Sequence, residues 1–398
     1  MTPPKIERQR IMYNFDEKVD RYIGHSRKWC KYPNKDVIPL WIADMDFKAA
    51  PEIVSALRNV LDHQIYGYND FHKLLTQNLV TYMERKLNWI TNTIDYMFLP
   101  GMVAGINVAC RALTNEGEAI LTATPIYPPF MSAAKLANRK LVKLPLEVVN
   151  GHYTWNFVKL EELLADTTLN IKLILLCNPH NPVGRVWNID ELKTLALLAK
   201  KYNVYICSDE IHYGLVLDKN KKHIPIASLN EDSKMRTLTL MAQSKTFNLA
   251  GLDCAYMVSS NPEIRTKLAN ITTGLFFSPN IFGLTATNTA ITKCDDWHEE
   301  LINYLNDNLN KIINYVNKWP DIDMIPQEAT YLAWLDCRKF ADKYEIKNIH
   351  KWFEKHGVGL GDGADFDANG FVRINFATQR SILIEALQRM DNAIKITK

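Results

Sequence analysis

The chain has no cysteine pair at redox or zinc-ligand spacing, no membrane-length apolar run and little net charge. Its seven cysteines, Cys30, Cys110, Cys177, Cys207, Cys254, Cys294 and Cys337, are odd in number and widely spaced, which excludes a CxxC motif. Several lie in apolar runs, where a free thiol behaves as a small hydrophobe. A reducing, cytoplasmic setting is therefore expected. Met1 to Asp20 is polar and charged without an apolar h-region, so no signal peptide is expected. No stretch reaches the roughly 20 apolar residues of a membrane helix, so no membrane partner is expected. The 47 basic and 44 acidic residues leave +3, too weak a field to predict nucleic acid as a partner. The short cluster Lys219, Lys221 and Lys222 reads as a solvated loop. HExxH, a Walker lysine and GxSxG are absent, as are repeats and low-complexity linkers. Gly359, Gly361 and Ala364 fit GxGxxA, but only 34 residues follow and no βαβ unit surrounds them; Gly357–Gly363 reads as a flexible loop.

What is present is alternation. Short apolar runs occur at Tyr96–Leu99, Ala119–Ala123, Lys140–Leu144, Ile171–Cys177, Val204–Cys207, Thr237–Met241 and Cys254–Val258. Ile171–Cys177 is apolar nearly throughout, as a parallel strand covered on both faces requires. Amphipathic stretches separate the runs. Asp190–Tyr202, for example, carries Leu192, Leu195, Leu197 and Leu198 on its apolar face and two acids at its start. Strands alternating with helices predict a mostly parallel seven-stranded α/β sheet. The C-terminal part reads differently, with a long helix over Trp297–Lys318 and strands at Thr330–Leu335 and Phe371–Phe376. The expected domains are residues 46–287, a large α/β domain, and 288–398, a smaller α+β domain on which residues 1–45 pack.

The residues with chemical potential follow the predicted strands, where open α/β sheets bind ligands. Lys245, after Thr237–Met241, could hold an aldehyde as a Schiff base if burial lowers its pKa; a surface lysine fits the same position. Asp209, after Val204–Cys207, could keep a pyridinium nitrogen protonated or cap the next segment. Asn178 opens Asn178-Pro179-His180-Asn181-Pro182, either a rigid turn or a donor to a phenolic oxygen. Gly101-Met102-Val103-Ala104-Gly105 opens a helix whose N–H groups suit a phosphate, to which Ser244 could add a hydroxyl. Tyr127 could stack on a planar ring or pack in the core. Arg373, in an alternating strand, needs a partner: a substrate carboxylate, or Asp365 in a structural salt bridge.

In order along the chain, these signals resemble the fold-type I pyridoxal 5′-phosphate (PLP) enzymes of the aminotransferase class I/II superfamily. The narrower resemblance is to the MalY/PatB-type C–S β-lyases, the cystathionine β-lyases. It rests on Trp41-Ile42-Ala43-Asp44-Met45-Asp46-Phe47, Tyr66-Gly67-Tyr68, Asp209-Glu210-Ile211-His212, Ser244 through Gly251 and Phe371-Val372-Arg373-Ile374-Asn375. The resemblance implies the PLP-dependent transferase fold and a role for each matching position. Lys245 is then the Schiff-base lysine and general base, Asp209 the partner of the pyridine nitrogen, Asn178 that of the phenolic oxygen, and Tyr127 the stacking ring. Val103, Ala104 and Ser244 bind phosphate, His212 lies against the cofactor, and Arg373 holds the substrate carboxylate with Ala43 nearby. Tyr68 reaches the neighbouring subunit's site, which implies a homodimer. His212 stands where aspartate-type aminotransferases carry Tyr, Asp253 replaces their Arg, and Ala242 replaces a phosphate-binding Ser. The implied reaction is α,β-elimination from L-cystathionine or related cysteine S-conjugates, giving a thiol, pyruvate and ammonia. An aminotransferase shares every residue named and is the first alternative. A regulatory binding protein that keeps the fold is the second.

Overall fold

The computed structural model describes residues 13–275 and 278–397. The part of the expected N-terminal segment that covers residues 1–12 lies outside them.

One sheet has seven strands: β1 (Tyr96–Leu99), β2 (Ala119–Thr124), β3 (Lys140–Pro145), β4 (Ile171–Cys177), β5 (Tyr205–Asp209), β6 (Thr237–Met241) and β7 (Ala255–Val258). Their order across the sheet is β1-β7-β6-β5-β4-β2-β3. Only β7 runs against its neighbours, β1 and β6; the other pairings are parallel. The expected mostly parallel, seven-stranded sheet is the sheet observed. β4 shows why its sequence is continuously apolar. Leu173, Leu175 and Cys177 face one core and Ile171, Ile174 and Leu176 the other, so both faces are covered by helices. The helix after β4 spans Ile189–Lys201. Asn188 accepts from the N–H groups of Asp190 and Glu191, and Glu191 returns the bond to the Asn188 N–H.

A second sheet has five strands, in the order Ile38–Leu40, Val358–Asp362, Phe371–Asn375, Leu332–Asp336 and Asp323–Met324. Helix Asp295–Val316 packs over it, burying Trp297, Leu301, Leu305, Leu309, Ile312 and Val316 at helical spacing. Here the structure corrects one expectation. The segment containing Gly357–Gly363 is not a flexible loop: Val358–Asp362 is a strand paired on both sides, parallel to Ile38–Leu40 and antiparallel to Phe371–Asn375. Its glycines answer to packing. A Cβ on Gly359 would lie 2.3 Å from the Tyr32 ring.

Candidate active site

The carboxyl ends of the parallel strands meet at a cavity of about 390 Å3. After β1 the chain turns at Gly101 into helix Met102–Leu113. The N–H groups of Met102, Val103 and Ala104 have no partner within the helix and face the cavity rim with the positive end of the helix dipole. β2 delivers Tyr127, β5 delivers Asp209 and His212, and β6 delivers Ser244 and Lys245. Arg373 arrives from the five-stranded sheet, and Ala43 from the segment that follows strand Ile38–Leu40.

The Lys245 Nζ donates to the Ala43 carbonyl at 2.5 Å. Burial lowers its pKa to about 8, against a pull upward from Asp44; Arg373 lowers it further. The fully buried Asp209 is raised to about 7, chiefly by desolvation, with the Ile211 N–H donating to its carboxylate and Lys245 acting in the opposite direction. Burial, with the Lys245 and Arg373 cations nearby, takes His212 down to about 3, so its imidazole is neutral. Its Nδ1 has no partner. Desolvation lowers the Arg373 guanidinium to about 10 and raises the Tyr127 hydroxyl.

Arg373 settles its own alternatives. It pairs with no carboxylate among the described residues, Asp365 included. Nη1 donates to Asn181 Oδ1 at 2.9 Å, Nη2 donates to the Trp41 carbonyl at 3.0 Å, and the buried Nε is unpartnered. A guanidinium held dry without an anion is ready for one.

Two expected residues stand elsewhere. Asn178 does not line the cavity. Its amide nitrogen donates to the Ile224 carbonyl at 3.2 Å, and its oxygen accepts from the Trp187 N–H at 3.4 Å, so both ends are engaged in holding the turn. Asn181, three residues on, lines the cavity instead. The second Asn-Pro pair was the signal for it. Tyr68 is fully exposed and does not line the cavity of its own chain. Asp44 and Tyr331 were not anticipated. Asp44 lines the cavity beside Lys245, and the Tyr331 hydroxyl shares the Ala43 carbonyl with Lys245 at 3.3 Å.

The family model for aminotransferase class I and II matches residues 35–390. The chain belongs to this family. Its fold is that of the fold-type I PLP enzymes. It is 33% identical over 389 residues to the cystathionine beta-lyase PatB of Bacillus subtilis, covering 96% of this chain and all of the relative. The crystal structure of OvoB superposes with a TM-score of 0.92 at 38% identity, over 96% of this chain and 99% of that one. Cystalysin from Treponema denticola, whose structure contains a pyridoxal 5′-phosphate cofactor, gives 0.91 at 31% identity, over 98% and 100%. The class I/II family member described here has, among its described residues, no helix long and apolar enough to cross a membrane.

Proposed function

We propose that this protein is a PLP-dependent C–S β-lyase that eliminates a thiol from L-cystathionine or a related cysteine S-conjugate. The buried Lys245 amine, lowered to about 8, with an acid raised to about 7 and a guanidinium lacking a carboxylate beside it, supports the PLP chemistry, and the similarity to cystathionine β-lyase PatB over nearly the whole chain carries the choice of elimination. The relatives named for cystathionine β-lyase and cystalysin support it.

The residues fit the cofactor. Desolvation pushes His212 and Arg373 toward neutrality and marks a dry cavity, and Asp209, held back from ionising by the same burial, regains its charge beside a pyridinium. Val103 and Ala104 N–H groups with the Ser244 hydroxyl would take the phosphate, and Asn181 the phenolic oxygen. Tyr127 would lie against the ring and His212 beside it. Lys245 would carry the aldehyde. When bound, PLP supplies an electron sink for the pair left on Cα.

The chain's own part is positional and acid–base. Arg373 fixes the substrate carboxylate with two parallel bonds. Lys245 Nζ, held by the Ala43 carbonyl, takes the α-proton. The Cβ–S bond then breaks with its electron pair on sulfur, and water converts the remaining fragment to pyruvate and ammonia.

The proposal extends to organisation: a large domain at residues 46–287, a small one at 288–398 with residues 1–45 against it, a homodimer, and a cytoplasmic location. The exposed Tyr68 supports a partner subunit completing each site.

The test is to give the PLP-loaded protein L-cystathionine without a keto-acid acceptor and follow pyruvate and free thiol together. Sustained, equal release of both is expected, and its loss in Lys245→Ala. Conversion of the cofactor to its amine form without thiol would make the protein an aminotransferase. Failure to retain PLP would point to a binding protein.

A further inference from the structure

A second cavity, of about 490 Å3, opens beside the first and shares Ile42, Tyr127 and Arg373 with it. A substrate whose α-carboxylate sits on Arg373 has this space for its sulfur substituent. The walls are not neutral. Arg27, Lys31, Asp362, Asp365 and His350 all line it.

Some of these charges are already committed. Asp362 Oδ2 lies 2.8 Å from His350 Nδ1, and its Oδ1 accepts from the Ala364 N–H. Three are not. The side chains of Arg27, Lys31 and Asp365 enter no ion pair or hydrogen bond among the described residues, although Glu354 and Asp365 both act on Lys31 electrostatically. Lys31 lies over the Trp41 ring, its Nζ 4.0 Å from the centroid, and desolvation lowers its pKa. Arg27 and Arg373 both act on the Tyr127 hydroxyl, which places both cations around the ring expected to cover the cofactor.

The segment carrying Arg27 and Lys31 is also held in place. Between them, the fully buried Lys28 binds Asp46 at 2.7 Å, Trp29 Nε1 donates to the same carboxylate at 2.8 Å, and Trp41 Nε1 donates to the Lys28 carbonyl at 3.1 Å. A buried ion pair with both partners hydrogen-bonded fixes a position more than it adds stability. Here it fixes the backbone that carries Arg27 and Lys31 at the cavity wall, so only their exposed side chains remain to be ordered by a ligand.

We propose that this cavity is a distal subsite for a second amino-acid head group. Arg27 and Lys31 bind its carboxylate and Asp365 its ammonium. The preferred substrates are then cysteine thioethers whose sulfur substituent is itself zwitterionic, as in L-cystathionine, over S-alkyl cysteines. The proposal rests on the C–S lyase reading for the chemistry but not for the binding, and the test separates the two.

Three ligands distinguish the contributions: L-cystathionine, S-(2-carboxyethyl)-L-cysteine and S-ethyl-L-cysteine. Binding of each to the PLP-loaded protein is read from the cofactor's absorbance, and thiol release is followed in parallel. In Arg27→Gln, the preference for the two ligands with a second carboxylate on the sulfur substituent over S-ethyl-L-cysteine should fall by about tenfold or more, the scale of one lost charge-assisted pair. Asp365→Asn should lower the preference for L-cystathionine alone. Preferences unchanged within about twofold in Arg27→Gln would overturn the subsite, whether or not thiol is released. Loss of the binding preference with no thiol released by the unsubstituted protein would keep the subsite and remove the lyase reading.

Discussion

Lys245 and Arg373 are both cations that burial makes costly, and the protein spends each differently. The Lys245 amine is nucleophilic only when neutral, and desolvation brings that state within reach near pH 8. Capture of PLP by cofactor-free protein should therefore accelerate as pH rises through about 8, because protonated amine is converted to free amine over that range. Asp44 favours the charged form of Lys245, so Asp44→Asn should move the profile to lower pH. Stopped-flow absorbance across pH checks both, and a profile unmoved by Asp44→Asn would remove Asp44 from the site's electrostatics. Arg373 keeps its charge and lacks an anion. Arg373→Gln should lower kcat/KM by about 10- to 100-fold, mostly through KM, as a charged hydrogen-bonded pair is worth roughly 1.5–3 kcal/mol. Arg373→Lys should recover part of it, since a point charge cannot make the bidentate contact. At this scale the sequence was readable for Tyr127, Asp209 and Lys245, which lie at or shortly past strand ends and line the cavity. It misled at Asn178, which follows β4 but turns its amide into the fold, while Asn181 lines the cavity. Which of two adjacent Asn-Pro amides points at a ligand depends on the path of the turn, and no periodicity encodes that.

Segment 41–47 is an element without regular secondary structure that positions the site nonetheless. Side-chain amides hold its backbone. Asn248 accepts from the Met45 N–H and donates to the Met45 and Phe47 carbonyls at 3.0, 3.0 and 3.2 Å. Asn375 donates to the Ile42 and Asp44 carbonyls, and Gln379 to that of Asp46. The backbone on both sides of the Ala43 carbonyl that receives Lys245 is thereby held by amides from distant parts of the chain. Asn248 has φ 58°, the left-handed region that Asn tolerates and Gly adopts freely. Asn248→Gly therefore removes the clamp without backbone strain. It should cost about 2–3 kcal/mol, near 1 kcal/mol per bond lost, and lower turnover as Ala43 loosens. Denaturant unfolding measures the first and thiol release the second; an unchanged midpoint would show the clamp to be idle. The same segment shows what the sequence could not say. Its motif was visible as a long, specific resemblance, yet its use as a strapped backbone acceptor depends on amides more than 200 residues away. The large sheet was legible because burial on two faces writes itself as continuous apolar runs. Strand Val358–Asp362 was not, because Gly359 makes room for the Tyr32 ring and Gly361 packs against Arg373 and the Trp41 carbonyl, which gives the strand a loop-like composition.

At the scale of the molecule, residues from both sheets line the cavity, and the chain also presents an exposed apolar loop. Residues 64–70, between helices Pro51–His63 and Phe71–Leu87, are all exposed, with Tyr68 entirely so, and Ile65 and Tyr66 beside it also outward. A cluster of outward apolar side chains is better explained by a second subunit than by solvent. In the proposed homodimer the interface is self-complementary, so Tyr68 of each subunit reaches the cavity that holds the other's Lys245. This arrangement predicts complementation. Lys245→Ala supplies an intact Tyr68 but no amine, and Tyr68→Ala supplies the amine but no intact tyrosine. Each variant alone should be impaired at both of its sites. After unfolding, mixing and refolding in equal amounts, about half of the dimers are mixed, and each mixed dimer contains one site with both native residues. Thiol release should rise above that of either parent toward about a quarter of the unsubstituted rate. An unshared site predicts no such rise, because Tyr68→Ala would then act within its own chain and mixing could not restore it. Sedimentation of the mixed sample distinguishes that result from a failure to form mixed dimers.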